Sequence, residues 1–502
     1  MGDHAVEDVD LLVIGGGKAG KSLAMDRAKA GWKVAMVERD KIGGTCINVA
    51  CIPTKALVAS ARTMLIARHA DIMGIELGEE SWASVDGLRQ HKSSVVDGMV
   101  AAHKKMFADS GMDFILGTAR FIAPRTTEIK THDGNVRLLR GAEVVINTGT
   151  TPAIPNLPGV TEASVWTSET ILQLERLPRR LLIVGGGYVG CEFASMFALL
   201  GSQVIMLQGP SQLLPREDPD VAAEVADILA DQGIDLRLGA GATAVYRNAV
   251  GEIVANLSDG SQVSGDELLV ATGRSPVTAD LGLHAAGVEV TSRGFIKVDD
   301  HLRTTADHVW AAGDVAGSPQ FTHASWNDFR ILRANLDHDD RVTRGRLVPH
   351  TVFITPELAR VGMTETQARA EGHNVAVSKI AVAAIPRAKT LHDTTGTWKT
   401  VVDADTHLIL GAALLGHNAG EVISTLQMAM LGRLQYQQIR DAVLTHPTMA
   451  EGLNLLFDAL DDQLRKGDTA SHATAGGVRS ALEHSSNSCG SRRESGRTIQ
   501  QQ

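Results

Sequence analysis

The stretch GGTCINVACIPTK, residues 43–55, places Cys46 and Cys51 five positions apart at the start of a predicted helix. A helix N-terminus stabilises a thiolate and lowers its pKa to roughly 3.5–7.5 in favourable cases. A purely structural disulfide bond across so short a loop would stabilise the fold by only about 2 kcal/mol. A zinc site needs about four ligands, and the other two cysteines, Cys191 and Cys489, offer no second C-x-x-C. The stretch therefore predicts a pair that cycles between dithiol and disulfide.

The composition is that of an ordinary globular chain, and the length of 502 residues predicts about three domains. The order of strand, glycine turn, helix and strand over residues 10–38 predicts an α/β fold. The net charge of −10 makes nucleic acid and anionic membranes unfavourable partners. No apolar run approaches the ~18 residues of a membrane-spanning helix. The first ten residues lack the basic and apolar regions of a secretory signal, so we expect a cytoplasmic protein.

A glycine fingerprint, GGGKAG at residues 15–20, lies between a predicted strand and a predicted helix. Its glycines, Gly15, Gly17 and Gly20, permit a tight turn and let the backbone approach a pyrophosphate at the helix N-terminus. Glu38 ends the next strand, where a carboxylate accepts hydrogen bonds from an adenosine ribose. Strand, glycine turn, helix and acid together predict a dinucleotide site.

A second fingerprint, GGGYVG at residues 185–190, begins 170 residues after the first and indicates a duplicated domain. Its glycines are Gly185, Gly187 and Gly190, and Gln208 stands where Glu38 stands in the first copy. A glutamine binds a ribose hydroxyl without repelling a 2′-phosphate. The choice between NADH and NADPH stays open here, with NADPH slightly favoured because the acid typical of NAD sites is missing.

Four segments together resemble the pyridine nucleotide-disulfide oxidoreductases, the family of glutathione reductase, dihydrolipoamide dehydrogenase and mercuric reductase. Residues 43–55 carry the G-G-T-C-x-N-x-x-C-x-P-T-K motif, and residues 271–274 read ATGR. Residues 309–314, VWAAGD, are similar to the second FAD motif, and residues 446–451, HPTMAE, to the C-terminal H-P-T-x-x-E motif. The resemblance covers about residues 8–465.

The resemblance implies two Rossmann-like dinucleotide-binding domains and an α+β C-terminal dimerisation domain. The implied divisions are an FAD-binding domain in two segments, 8–152 and 277–347, an NAD(P)H-binding domain over 153–276, and a dimer-interface domain over 348–465. The Ser- and Gly-rich remainder, 466–502, is expected to be disordered.

Residue roles also follow from the resemblance. Cys51 is expected to face the flavin, and Cys46 to be the interchange thiol that attacks the substrate. Lys55 and Glu192 correspond to the pair beside the reactive nitrogen of the flavin. Tyr188 corresponds to the aromatic gate that moves when the nicotinamide enters.

The C-terminal motif implies an active site shared across a homodimer. His446, supplied by the partner subunit, is the expected acid/base, with Glu451 orienting its ring, and Asp314 is expected to bind the ribityl chain. No metal site is expected. The residues expected to contact the two cofactors are Gly15, Gly17, Gly20, Glu38, Lys55, Gly149, Asp314, Gly185, Gly187, Gly190, Gln208 and Gly273.

The expected activity is electron transfer from NAD(P)H through FAD to the cysteine pair, and on to a disulfide, soft metal ion, quinone or oxidant. Residues 17–21, 349–356 and 384–388 resemble the reactive-chlorine-resistance reductases, a mercuric reductase-like branch. The vicinal cysteine pair near the C-terminus of mercuric reductase is missing, since the tail carries Cys489 alone. Alternatives are mercuric reductase, the dihydrolipoamide dehydrogenase component of a multienzyme complex, and a non-catalytic redox sensor.

Overall fold

The structure is a computed structural model that describes residues 5–77 and 82–461. The tail expected to be disordered, 466–502, and its Cys489 lie outside the described residues.

The first region is built around a parallel sheet whose central strands are buried on both faces. Its elements are β1 (Val6–Ile14), α1 (Lys18–Lys29), β2 (Val34–Glu38), α2 (Gly44–Asn48), α3 (Cys51–Arg68), α4 (Val85–Ser110), β3 (Asp113–Ala123), β4 (Thr126–Thr131), β5 (Val136–Ile146) and β6 (Thr150–Pro152). The strands β3, β2, β1 and β5 run parallel in that order, and β3, β4 and β5 continue into an antiparallel meander. The continuous apolar run at the end of β1 suits a strand covered by helices on both sides.

The second region repeats the plan with a five-stranded parallel sheet. Its elements are β7 (Trp166–Thr167), β8 (Arg180–Val184), α5 (Tyr188–Leu200), β9 (Gln203–Gln208), α6 (Pro219–Asp231), β10 (Asp235–Leu238), β11 (Ala242–Arg247), β12 (Ile253–Leu257), β13 (Gln262–Gly265), β14 (Glu267–Val270) and β15 (Arg274–Pro276). The parallel order is β10-β9-β8-β14-β7, and β11, β12 and β13 form a separate antiparallel sheet. Strands β6 and β15 pair with each other at the crossing between the two regions.

The two glycine turns have the same backbone geometry. Gly15 and Gly185 have φ angles of +100° and +113°, and a Cβ on either would lie 2.5 Å from a carbonyl oxygen of the neighbouring strand end. Only glycine fits both constraints. The expected α/β class with two Rossmann-like units is confirmed.

The last region returns one strand to the first sheet and then forms an antiparallel sheet of its own. Its elements are α7 (Leu283–Ala286), β16 (Val309–Ala311), α8 (Thr322–Leu336), β17 (His350–Val352), β18 (Glu357–Gly362), α9 (Glu365–Ala370), β19 (Val375–Ala381), α10 (Pro386–Thr390), β20 (Thr397–Asp403), β21 (Ile409–Gly416), α11 (Ala419–Leu431), α12 (Tyr436–Arg440) and α13 over residues 452–461. Strand β16 pairs with β5, and the new sheet has the order β17-β18-β21-β20-β19. Helices α11 and α13 pack on one face, while Leu358 and Leu415 on the other face join the core around Phe193 of the second region.

One helical stretch of the described residues, Gly44–Arg68, is long and apolar enough to cross a membrane by length and composition alone. The sequence analysis expected no such segment. Helices that pack inside folded domains pass the same test, and α3 within this stretch packs against α4 and α5.

A buried lysine joins the second region to the C-terminal sheet. The side chain of Lys399 on β20 is 3% exposed, and its ammonium lies 3.0 Å from Asp218, 3.0 Å from Asp220 and 2.9 Å from Glu365. Burial alone would raise the pKa of Asp218, but hydrogen bonds from Thr366, Lys399 and the Glu365 backbone lower it to about 2. The resulting stabilisation is complete above the pKa of an unfolded aspartate and is lost as the pH falls towards 2.

The Lys399→Met variant should be strongly destabilised, because it leaves three carboxylates around a buried site without their cation. We expect a loss of about 3–5 kcal/mol in the free energy of unfolding, measured by chemical denaturation. The control is Lys379→Met, since Lys379 pairs with the same Asp220 from a half-exposed position. An exposed ion pair contributes at most about 1 kcal/mol. Equal losses of unfolding free energy in the two variants would therefore contradict a special role for the buried ion pairs of Lys399.

Candidate active site

The two cysteines meet at the starts of helices. Cys46 lies within α2, and Cys51 is the first residue of α3. The hydroxyl of Thr322, the first residue of α8, donates to Cys46 Sγ at 3.0 Å and lies 3.6 Å from Cys51 Sγ. Sequence reasoning missed Thr322, because no motif links it to the cysteines. Both thiols are free and partly exposed.

The structure makes the two sulfurs chemically unequal. A hydrogen bond from Cys46, supported by Thr322 and by the charge of Lys55, lowers the pKa of Cys51 to about 6 against the opposing effect of burial. The hydrogen bond with Cys51 and burial raise the pKa of Cys46. At neutral pH the reduced pair therefore holds its negative charge on Cys51 and its proton on Cys46.

A lysine–glutamate ion pair connects the cysteine helix to the second fingerprint. Lys55 lies one turn after Cys51 on α3, and its ammonium is 2.6 Å from Glu192 Oε2 on α5. The other oxygen of Glu192 accepts a hydrogen bond from the backbone N–H of Phe353 at 2.9 Å. The Lys55 ammonium also lies 4.7 Å from the centre of the Phe353 ring, a cation–π contact. The structure thus brings together two of the predicted site residues.

The residues at the ends of β2 and β9 make matching hydrogen bonds. Glu38 Oε2 accepts from the Gly16 amide at 2.7 Å, and Gln208 Oε1 accepts from the Gly186 amide at 2.8 Å. The duplication therefore extends to these contacts, but the first site carries a negative charge and the second is neutral.

The first glycine loop fits the pyrophosphate of a dinucleotide. A Cβ on Gly17 would lie 2.4 Å from Asn147 Oδ1, so only glycine lets the loop pack this closely on Asn147 at the start of α1. Buried Asn147 holds the loop by accepting from the Gly20 amide at 2.9 Å, a role that sequence reasoning missed. Asp314 accepts from the Thr150 hydroxyl at 2.7 Å, and burial raises its pKa. A half-buried carboxylate with one side-chain hydrogen-bond partner among the described residues suits a ligand rich in hydroxyl groups.

The remaining predicted glycines flank these sites. Gly187 and Gly190 lie at the start of α5, as Gly17 and Gly20 do at the start of α1. Gly149 and Gly273 directly precede the paired strands β6 and β15, with positive φ angles of +69° and +135°. All predicted glycines therefore lie at the two turns or at the crossing between the regions.

The two residues of the C-terminal motif, His446 and Glu451, are paired with each other, and within the described part of the chain they make no bond to the cysteines. His446 Nδ1 lies 2.8 Å from Glu451 Oε2, and the imidazole side chain is 70% exposed. No hydrogen bond or ion pair within residues 5–77 and 82–461 joins His446 to Cys46 or Cys51. The expectation that a second subunit supplies this histidine stays a prediction.

Tyr188 opens α5 four residues before Glu192, at the second glycine turn. Its hydroxyl donates to Glu217 Oε1 at 2.8 Å, and its ring centre lies 5.1 Å from that of His350. Burial and the charge of Glu217 raise the pKa of Tyr188. Cys191, on the same helix, is fully buried against the Gly186 carbonyl. Among the described residues no three His, Cys, Asp or Glu side chains cluster as metal ligands.

A thiol pair beside a lysine–glutamate ion pair, between two dinucleotide turns, defines a flavoprotein disulfide reductase. The chain belongs to the pyridine nucleotide-disulphide oxidoreductases: residues 9–328 match that family's model, and residues 348–456 match the model of its dimerisation domain. Members of this family are oxidoreductases that bind FAD, use NAD(P)H and act on sulfur groups. The dimerisation domain supports a homodimer.

Similar proteins include the probable pyridine nucleotide-disulfide oxidoreductase RclA of Escherichia coli, 43% identical, with 89% of this chain and 98% of that protein covered. A solved structure of the Cu(II) complex of the HOCl-induced flavoprotein disulfide reductase RclA from Escherichia coli has a TM-score of 0.84 and 41% identity. That match covers 90% of this chain and 99% of the other. A mercuric reductase of Bacillus cereus is 34% identical, over 93% of this chain and 74% of its own length.

The Thr322→Val variant should raise the apparent pKa of the reduced cysteine pair, because it removes the hydroxyl that contacts both sulfurs and favours the charged form of the pair. We expect a rise of about one unit, measured from thiolate absorbance as a function of pH. The matched control is Thr304→Val, since Thr304 donates to the Val309 carbonyl and does not contact the cysteines. An unchanged pKa in Thr322→Val would show that the hydroxyl does not stabilise the charge.

Proposed function

We propose that Cys46 and Cys51 are the redox-active pair, with Cys46 as the interchange thiol and Cys51 on the flavin side. The observation that carries this proposal is the unequal pair: the hydrogen bond from Cys46 and the charge of Lys55 favour charge on Cys51, while Cys46 keeps its proton. The sulfur that holds the stable charge is suited to stay beside the cofactor. The sulfur that exchanges its proton is suited to attack an acceptor.

Bound FAD supplies the two-electron relay between the nicotinamide and the disulfide. The amides of the first glycine loop and the N-terminus of α1 would bind its pyrophosphate, Glu38 its ribose and Asp314 its ribityl hydroxyls. Lys55, held in place by Glu192, keeps a positive charge near Cys51. The other residues that we propose as cofactor contacts are Gly15, Gly17, Gly20, Gly149, Gly185, Gly187, Gly190, Gln208 and Gly273.

Reduction of the acceptor needs a proton donor beside Cys46. His446 is suited to this role, because Glu451 holds Nδ1 and leaves Nε2 free to deliver a proton to a departing thiolate. The exposed position of His446 fits a side chain that completes the site of a second subunit. We infer that the homodimer is the catalytic unit.

The acceptor class is inferred from chemistry and from relatives. A dithiol reduces disulfides and binds soft metal ions; RclA has been solved as a Cu(II) complex, and another relative is a mercuric reductase. We propose a soft metal ion or a disulfide as the acceptor, with quinones and other oxidants as further candidates. Mercuric reductase, a dihydrolipoamide dehydrogenase component and a non-catalytic redox sensor stay as alternatives.

We also propose the nucleotide preference, the domain divisions and the cellular location. Neutral Gln208 accommodates a 2′-phosphate, which favours NADPH slightly over NADH. We assign FAD binding to 8–152 and 277–347, NAD(P)H binding to 153–276 and the dimer interface to 348–465. The expected location is the cytoplasm, where thiols are kept reduced.

The Cys46→Ser variant should keep bound FAD and still oxidise NAD(P)H with an artificial one-electron acceptor, because both cofactor sites are intact. Turnover with a panel of disulfides, Cu(II) and Hg(II) should fall to background. The matched control is Cys191→Ala, which removes a buried thiol away from the pair and should retain turnover. Unchanged disulfide and metal turnover in Cys46→Ser would refute the assignment, and negligible turnover of the unmodified protein with every acceptor would favour the redox sensor.

Mixed dimers test the shared site. Cys46→Ser and His446→Ala homodimers should both be inactive towards the acceptor. A hybrid of one copy of each, isolated with two affinity tags, should regain one working site, about half the activity of the unmodified dimer. In the control hybrid a copy carrying both substitutions is paired with an unmodified copy. It should stay inactive, because each site then lacks one partner; activity there would place His446 and Cys46 of one chain in the same site.

A further inference from the structure

The hydroxyl of Tyr188 donates a hydrogen bond to Glu217, a residue outside the cofactor motifs. We propose that Glu217 is a positioning residue that latches the Tyr188 ring in its closed position, so that opening for the nicotinamide requires this hydrogen bond to break. The inference rests on the proposed function and on the gate role that the family resemblance implies for Tyr188. The latch is inferred from the 2.8 Å hydrogen bond between the Tyr188 hydroxyl and Glu217 Oε1. The side chain of Glu217 is only 1% exposed.

The environment of Glu217 keeps it ionised although it is buried. Arg360 Nε lies 3.1 Å from Glu217 Oε2, at ion-pair distance but not aligned as a hydrogen bond, and His350 Nε2 lies 3.3 Å from Oε1. Burial would raise the pKa of Glu217, and these partners together with Tyr188 lower it below its usual value. The Tyr188 hydroxyl thus donates to a charged acceptor, and such bonds are roughly twice as strong as neutral ones.

Aromatic rings support the same closed position from the side. The His350 ring packs between Tyr188, at 5.1 Å, and Phe321, at 5.5 Å and nearly parallel. Phe321 directly precedes Thr322, whose hydroxyl contacts both cysteine sulfurs. The closed ring is therefore packed against the segment that leads to the thiol site.

Glu217 cannot move with the Tyr188 ring, because the adjacent residue, Asp218, is bonded to the C-terminal region. Asp218 accepts hydrogen bonds from the backbone amides of Glu365 and Thr366 and pairs with buried Lys399. Arg360 belongs to the same C-terminal sheet. When Tyr188 swings, Glu217 stays, and the bond is lost. A closed latch lowers the apparent affinity for the nucleotide by the fraction of molecules that are open.

The experiment compares Tyr188→Phe, which keeps the ring and removes the hydroxyl, with Glu217→Gln, which removes the charge of the acceptor. The measurement is the Kd of the oxidised holoenzyme for NADP⁺ and NAD⁺, from the perturbation of the flavin spectrum. We expect Tyr188→Phe to lower Kd about tenfold and Glu217→Gln to lower it in the same direction. The double variant should bind no more tightly than Tyr188→Phe, since both changes remove one interaction.

Two further variants separate the latch from the gate. Glu224→Gln alters another partly buried carboxylate, which bonds to Thr397 of the C-terminal sheet and not to Tyr188, so Kd should stay unchanged. Tyr188→Ala removes the ring itself and should lower Kd at least as much as Tyr188→Phe.

The outcomes distinguish the two roles. A lower Kd in Tyr188→Ala alone overturns the role of Glu217 as a latch and leaves the role of Tyr188 as a gate. An unchanged Kd in all variants overturns the gate and the latch with it, while the thiol assignments of Cys46 and Cys51 are untouched. Flavin reduction by dithiothreitol, which enters from the thiol side, should keep its rate in the control variant Glu224→Gln.

Discussion

The ion pair between Lys55 and Glu192 is the interaction on which the active site depends. A buried glutamate such as Glu192 is costly unless a cation meets it, so the packing of α3 against α5 is favoured in the register that joins these side chains. Each partner stands four residues after a functional side chain, Cys51 on α3 and Tyr188 on α5. Residues four apart share a helix face. One ion pair therefore sets where the thiolate and the aromatic ring lie relative to each other.

Much of this arrangement could be predicted from the sequence, because the fingerprints are local. The glycine turns, Glu38 and Gln208 are defined by short spacings along the chain, and the structure brings them to matching positions. Thr322 and Asn147 could not be found in this way. Thr322 contacts a cysteine 276 residues away, and Asn147 an amide 127 residues away. Such contacts depend on the pairing of distant strands, as β1 and β5 do near Asn147, or on the packing of one region against another, as at Thr322. A single side chain carries no sign of either.

The duplicated units keep their backbone and differ in charge. In both, a side-chain oxygen at the end of the second strand accepts from the amide of the middle glycine, at 2.7 Å for Glu38 and 2.8 Å for Gln208. The turn needs an acceptor there and is satisfied by an amide as well as by a carboxylate. The charge at this position is therefore free to vary without loss of the turn. In the cofactor assignment proposed above, this charge is one difference that a bound nucleotide would sense between the two sites.

The C-terminal region supports the active site of its own subunit as well as supplying an interface. The hairpin of β17 and β18, with its connecting segment, meets the second region at several points. Among them, His350 packs on Tyr188, the Phe353 amide donates to Glu192, and Arg360 pairs with Glu217. The ion pair and the tyrosine thus have a common support that belongs to neither dinucleotide-binding unit. A shift of this hairpin would move Glu192 and Glu217 together, and with them Lys55 and Tyr188. From this sheet the chain continues through α11 and α12 to His446, so the segment that matches the dimerisation-domain model is joined by these contacts to both the thiol side and the nucleotide side of the site.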